Sequence, residues 1–192
     1  MEQPWNVPDS WEWSKLIDAC VYLKTGVDKY EGERDYFSTG SIQDDSITPE
    51  GKYKYKNRPS RANRISEVGD IFQARMKGTD KALLINKDLS KKLFSTGFIQ
   101  LRPTNSFKDM SKYLYYYLKS NLFLLQRDNL ATGTTQVALT DRASKNIILP
   151  VPPINEQIRI VNRIEELLSK NESGQKTLKK LELAIHHVPH EN

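Results

Sequence analysis

The chain has 192 residues, of which 38% are hydrophobic and 28% charged, with a formal net charge of +5. That size suits one domain with an appendage, the composition is that of a folded chain, and no run of eighteen apolar residues is present to cross a bilayer as a helix. A single cysteine, Cys20, excludes an intramolecular disulfide and a cysteine-built zinc cage. The opening MEQPWNVPDSW carries no basic-then-apolar signal, so a cytoplasmic protein is the expectation.

Trp5, Trp11 and Trp13 precede Leu16 and Ile17. They read as aromatic anchors of a packed edge in preference to base-stacking groups. Residues 24–51 are rich in Gly, Asp, Ser and Thr, the pattern of loops between short strands; Thr39 lies in one of these. Residues 52–64, KYKYKNRPSRANR, carry Lys52, Lys54, Lys56, Arg58, Arg61 and Arg64 and no acid. In a strand, alternation sets the three lysines on one face and Tyr53 and Tyr55 on the other. Lysines suit phosphates, whereas the arginines, Asn57 and Asn63 have the donor geometry for guanine and adenine edges. A solvated basic edge strand that resists aggregation is the alternative.

Glu67-Val68-Gly69-Asp70 reads as a turn into a strand over 71–76, which includes Arg75. Lys77 to Lys81 is a polar loop with basic groups. Residues 82–86 and 97–101 are apolar enough for inner strands, the latter ended by Pro103. Met110, Tyr113, Leu114, Tyr117, Leu118, Leu122 and Leu125 recur at helical steps and predict one helix over 107–127, capped by Asn105 or Ser106. Gly133-Thr134-Thr135-Gln136 offers backbone N–H groups and hydroxyls for a phosphate or base; a structural turn is the equal alternative. Thr140-Asp141 caps a brief helix. Residues 147–151 form a strand, and Pro152-Pro153 opens a long helix, since proline's missing N–H would be unpaired there anyway. Glu156 then sits at the positive end of the helix dipole.

From Ile154 to Val188 that helix holds six basic and five acidic residues, so the basic excess belongs to the globular part. Its apolar stripe runs through Ile154, Ile158, Val161, Ile164 and Leu168, turns polar at Asn171, Gly174 and Gln175, and resumes at Leu178, Leu181 and Ile185. Thirty-five helical residues span roughly 50 Å, more than a domain of about 150 residues can cover, so a partner helix is expected.

The run Gly133-Thr134-Thr135-Gln136, Leu139, Leu149-Pro150-Val151-Pro152-Pro153, Glu156-Gln157 and Arg159-Ile160-Val161 resembles the junction between target recognition domain and conserved helix in the specificity (S) subunit of type I restriction-modification systems. Residues 7–16, with Trp11 and Leu16, resemble the opening of such a domain. The resemblance covers nearly the whole chain at about half the size of an S subunit, with one recognition domain and one helix. It implies an α+β fold: a recognition domain with a mixed sheet and helices over 1–150, a long coiled-coil-type helix over 151–188, and a tail over 189–192. It also implies a non-catalytic DNA-reading subunit. Its DNA-contacting candidates are Thr39, Lys52, Lys54, Lys56, Asn57, Arg58, Arg61, Asn63, Arg64, Arg75, Lys77, Lys81, Thr134, Thr135 and Gln136. Pro153, Glu156, Gln157, Ile160 and Arg163 would dock a methyltransferase subunit and, through it, a restriction subunit. The apolar stripe would pair two copies. S-adenosylmethionine, ATP and Mg²⁺ would belong to the partners, with no cofactor in this chain.

An active site is not legible. Pro152-Pro153 follows Val151 where a methyltransferase motif has Asn or Asp, and the phosphate-loop pattern is missing. Glu12-Trp13-Ser14 has serine where a nuclease pattern needs lysine. His186, His187 and His190 lack flanking acidic or thiol ligands. A small nuclease and a helical scaffold without DNA are the competing readings.

Overall fold

The structure, a computed structural model, describes residues 6–43, 46–135 and 137–185, with Ser106, Lys108, Asp109, Glu172 and residues 176–185 described by their backbone only. Trp5, Gln136, His186, His187, Val188, His190 and the 189–192 tail lie outside the described residues.

Strand β1 (Glu12–Lys15) runs into a single turn, α1 (Leu16–Ala19), and then β2 (Cys20–Tyr22). The 24–51 stretch folds as short strands between loops: β3 (Arg34–Phe37), β4 (Ile42–Gln43), β5 (Ser46–Ile47) and β6 (Gly51–Tyr53). After β7 (Ala62–Ile65) come β8 (Ile71–Ala74), β9 (Ala82–Leu84), β10 (Leu93–Ser95) and β11 (Phe98–Pro103), which carries Pro103 as its last residue. Sequence reading missed β10, a Leu-Phe-Ser triplet too short to show alternation.

Two four-stranded sheets result. One, in the order β2-β11-β8-β9, is antiparallel throughout. The other, β6-β3-β10-β7, is mixed, because β10 runs parallel to β3 and antiparallel to β7. Alternation along each strand sorts the core into layers. Phe37, Phe72, Ala74, Phe94 and Phe98 meet between the sheets, with Phe72 stacked on Phe94 at 4.2 Å between ring centroids. Tyr36, Ala62 and Leu93 face the other way, under Tyr30 and Tyr53. On the far side of the antiparallel sheet, Ile71, Ile99 and Leu101 pack against helices.

Those helices are α2 (Ser111–Lys119) and α3 (Asn121–Leu130), preceded by a 3₁₀ turn over Asn105–Met110. The single helix expected over 107–127 is therefore two. Ser120, in extended conformation, breaks it, and its hydroxyl accepts from Phe123 N–H to cap α3. Tyr113, Leu114, Tyr117 and Leu118 are buried as expected, but Leu125 is 61% exposed because the break rotates it outward.

The junction is built as the sequence indicates. Thr140 caps α4 (Asp141–Ser144) by accepting from Ala143 N–H, and β12 (Ile148–Val151) pairs antiparallel with β1. After Pro152 and Pro153, α5 (Ile154–Ile185) begins and runs helically through Gly174. Three side chains brace β12 from its other edge. Tyr113 Oη donates to Pro150 O (2.7 Å), Tyr117 Oη to Ile148 O (2.6 Å), and the Gln126 amide exchanges two bonds with Ile148. Burial pushes both tyrosine hydroxyls above their ordinary range, so they stay protonated donors. Trp11 Nε1 donates to Glu156 Oε2 (2.9 Å), tying the first turn of α5 to the start of the chain.

Candidate nucleic-acid interface

Strand direction decides which loops meet. β3 and β10 end, and β7 begins, at one end of the mixed sheet, because Phe94 lies beside Phe37 and Ser95 beside Ala62. β8 ends and β11 begins at one end of the antiparallel sheet, where Phe98 lies opposite Ala74. The Ser95–Phe98 turn joins these two ends, so the loops after β3, before β7 and after β8 converge there.

The convergence is hydrogen-bonded. Lys81 Nζ donates to Thr39 O (2.9 Å), Thr96 N–H to Arg61 O (2.9 Å), and Arg75 N–H to Gly97 O (3.0 Å). The loop over 132–138 joins through Lys77 N–H to Val137 O (2.9 Å) and an isolated bridge between Met76 and Ala138. Gly133, at φ +128, holds a backbone conformation that a side chain would strain, which fixes the glycine ahead of Thr134 and Thr135. The 77–81 loop is itself clamped from α3. Buried Arg127 donates to Thr79 O and pairs with Asp128, whose carboxylate accepts Gly78 N–H. Sequence reading missed this clamp, since an arginine inside a helical pattern reads as a surface residue. Thr39, Arg61, Lys77, Lys81, Thr134 and Thr135 thus share one end of the fold, with Arg61, Lys77 and both threonines of the loop exposed.

The rest of the basic segment divides. The expected single strand exists only as β6. Tyr55–Asn57 is a 3₁₀ turn and β7 starts at Ala62, because Pro59 and the Arg58 contacts bend the chain between them. Exposure still alternates over 51–56, so Lys52, Lys54 and Lys56 are exposed beside half-buried Tyr53 and Tyr55. Register carries the chain past Tyr53 to Lys54 at the opposite end of the mixed sheet from Thr39, since Tyr53 pairs with Arg34 and Gly51 with Tyr36, and Lys56 and Asn57 follow in the 3₁₀ turn. Lys52 approaches Asp35 at 3.9 Å, and Asn63 is half-buried in β7.

Three arginines proposed as DNA contacts are spent on the fold. Arg64 is 1% exposed and donates to Leu23 O (2.8 Å). Burial, aided by the Arg75 charge, lowers its pKa to about 10, so it remains a buried cation that cannot meet a base. Arg75 donates to Phe98 O and Leu139 O and pairs with Asp141 at 2.6 Å, which fastens the Thr-rich loop to the sheet. Arg58 donates to Tyr55 O and Ala62 O and lies over the Tyr55 ring at 4.1 Å.

The type I restriction modification DNA specificity domain model matches residues 8–183, most of the chain. The chain belongs to that family. This specificity domain is 26% identical over 194 residues to the MjaVIII specificity subunit of Methanocaldococcus jannaschii, covering 88% of this chain and 41% of that protein. It is 29% identical over 179 residues to the EcoAI specificity subunit of Escherichia coli, covering 88% of this chain and 30% of that protein. The chain therefore spans less than half the length of these curated relatives. Its fold is that of the HsdS subunit of Thermoanaerobacter tengcongensis, with a TM-score of 0.75 at 23% identity over all of this chain and 53% of that one. A chain from a structure of type I restriction-modification complex assembly and conformational transition superposes with a TM-score of 0.70 at 25% identity, over 98% of this chain and 52% of that one.

Fewer of the helix residues expected to meet a partner are accessible than the sequence alone suggests. Gln157 is buried and donates to Pro152 O (2.6 Å), so its amide NH₂ locks the Pro-Pro turn. Glu156 is occupied by Trp11 and Arg159. Pro153 and Arg163 are exposed, the latter paired with Glu166, and Ile160 is half-buried. Along the apolar stripe, Ile154, Ile158 and Leu168 are each about half exposed. Val161 is not available to a partner helix: it is 8% exposed, because the first turns of α5 lie against α2 and the 3₁₀ turn before it. A Lys112–Glu165 pair at 2.7 Å fastens that contact. Ile164 is half-buried, and the side chains of Leu178, Leu181 and Ile185 lie outside the described ones.

Proposed function

We propose that this chain is a non-catalytic DNA-reading unit of a type I restriction-modification system that contacts one half-site of duplex DNA. The observation that carries the reading is the convergence of Thr39, Arg61, Lys77, Lys81, Thr134 and Thr135 at one end of the fold in a chain of the DNA specificity domain family. Lys77 and Lys81 neutralise phosphates there, while the hydroxyls and Arg61 address phosphates or base edges. Lys54 and Lys56, exposed beyond the other end of β6, meet phosphates flanking that contact. Pro153, Ile160 and Arg163 dock the methyltransferase subunit, which carries S-adenosylmethionine. The restriction subunit, with its ATP and Mg²⁺, joins through that partner.

α5 holds the domain at a distance from a second copy. The exposed Ile154, Ile158 and Leu168 continue as Leu178, Leu181 and Ile185 in sequence, and an unpartnered stripe of that length favours association. Antiparallel pairing about a two-fold axis near Gly174 buries the same surface on both copies. It sets two reading ends apart, so the dimer reads an interrupted palindrome.

The test of DNA contact is affinity for duplex DNA against salt. Lys77→Ala with Lys81→Ala is expected to flatten the log–log slope by about 0.9 per lost phosphate contact, and Lys54→Ala with Lys56→Ala to flatten it by no more than that pair does. A chain that binds duplex no better than an acidic control protein at low salt would overturn the reading.

A further inference from the structure

Among the arginines of the basic segment, Arg58 and Arg64 donate to backbone carbonyls, whereas the Arg61 guanidinium makes no hydrogen bond or ion pair among the described residues. Yet Arg61 is held in place. Its carbonyl accepts from both Asn63 N–H (2.8 Å) and Thr96 N–H (2.9 Å), and this fixes its Cα beside the Ser95–Phe98 turn. Its side chain then passes over Gly97. A methyl group on Gly97 would sit 3.4 Å from Arg61 Nη2, 3.3 Å from Ser95 Oγ and 3.5 Å from Thr39 Cγ2. Gly97 is thus the floor of a notch walled by Ser95 and Thr39, and the Arg61 fork rests in it. The turn that forms the floor is rigid: Ser95 Oγ accepts Gly97 N–H (3.0 Å), and Gly97 O accepts Arg75 N–H (3.0 Å).

Resting on the proposed DNA reading, we propose that Arg61 is the specificity-determining base reader of this domain, that its partner is the O6/N7 edge of a guanine in the major groove, and that Gly97 sets its reach. A planar fork with parallel unpaired N–H donors matches a pair of acceptors on one edge. A fork already seated in a notch loses less side-chain freedom on binding than an exposed lysine such as Lys77. Lys81, by contrast, is tethered to Thr39 O, and Lys77 is exposed without a seat; both act as charges.

Gly97 makes the proposal testable apart from Arg61 itself. A methyl group at 97 meets Ser95 Oγ most closely, at 3.3 Å, and then touches Arg61 Nη2 at 3.4 Å, an ordinary contact distance, so it fills the floor of the notch and takes up the room in which the guanidinium settles. Gly97→Ala therefore alters the seat of the fork at the cost of a shift of a few tenths of an ångström at Ser95.

The experiment sequences the duplexes that the purified full chain retains from a randomised pool, and in parallel measures its salt slope on a bulk duplex. Arg61→Ala is expected to remove the preference for one G·C pair per half-site, a discrimination of roughly 10- to 100-fold, and Arg61→Lys not to restore it. Gly97→Ala is expected to weaken preference at the same base pair and nowhere else, with a cooperative thermal transition retained and no added effect on preference in the Arg61→Ala background. An Arg61→Ala chain with an unchanged base profile and a slope smaller by about 0.9 would make Arg61 a phosphate contact and overturn the proposal. So would Gly97→Ala with an unchanged profile. If wild type retains no duplex at all, the DNA reading itself falls and takes this inference with it.

Discussion

The sharpest stability prediction concerns Asp70, which ties the two sheets together at the end away from the reading loops. Asp70 has no exposed surface. Its carboxylate accepts Arg102 Nε (2.7 Å) and Nη2 (3.0 Å), Gln100 Nε2 (2.7 Å) and Glu67 N–H (3.0 Å). Gln100 Nε2 also donates to Ile65 O (2.8 Å), so the network links β11 to the end of β7. Asp70→Asn keeps the shape, removes the charge and turns an amide NH₂ toward donors. Breaking a buried ion pair from one side costs about 3–5 kcal/mol. The Arg102 side chain is 40% exposed and retains Glu67 at 3.0 Å, so solvent and that second carboxylate compensate it in part. We therefore expect the lower end, about 3 kcal/mol. With a urea dependence of about 2 kcal/mol per molar, the unfolding midpoint falls by roughly 1.5 M. Arg102→Met alone is expected to cost a similar amount, because it strands a fully buried carboxylate. The double variant is expected to lose clearly less than the sum, by about 1–2 kcal/mol. A midpoint within 0.3 M of wild type for Asp70→Asn, taking about 0.3 M as the resolution of such midpoints, or strict additivity in the double variant, would refute the network.

Two further predictions concern the junction and the helix. Gln126→Ala removes the acceptor of Ile148 N–H on the edge of β12 that β1 does not cover, and is expected to cost about 1–3 kcal/mol in urea unfolding; a loss below about 0.3 kcal/mol would mean that another group takes its place. Light scattering at micromolar concentration is expected to give twice the chain mass, and Leu168→Asp with Leu181→Asp a monomer with unchanged secondary structure. A wild-type monomer, or a variant that remains a dimer, would remove α5 as the pairing element.

The parts of this fold legible in sequence are those fixed by local chemistry. Thr140 capping α4, the strand before Pro152-Pro153, and the start of the long helix each depend on a few adjacent residues, and each lies where the pattern put it. The alternation over 51–56 gave the right exposure for the wrong backbone, since a 3₁₀ turn can keep tyrosines inward as a strand does. What stayed hidden depends on residues distant in sequence. The fate of an arginine is one case: Arg58, Arg61 and Arg64 look alike in the chain, but only register reveals that Leu23 O stands ready for Arg64 and nothing does for Arg61 among the described residues. The Ser120 break and the inward turn of Arg127 are others, set by where α3 must lie to reach the 77–81 loop.

The central claim is that one end of this fold reads DNA and that α5 sets two such ends apart. Recovery of duplexes from a randomised pool by the purified chain tests both parts at once. The account predicts enrichment of two identical half-sites in inverted orientation, separated by a fixed number of unconserved base pairs, with enrichment lost at high salt. A retained pool with no sequence preference, or a single half-site with no dyad-related copy, would contradict it.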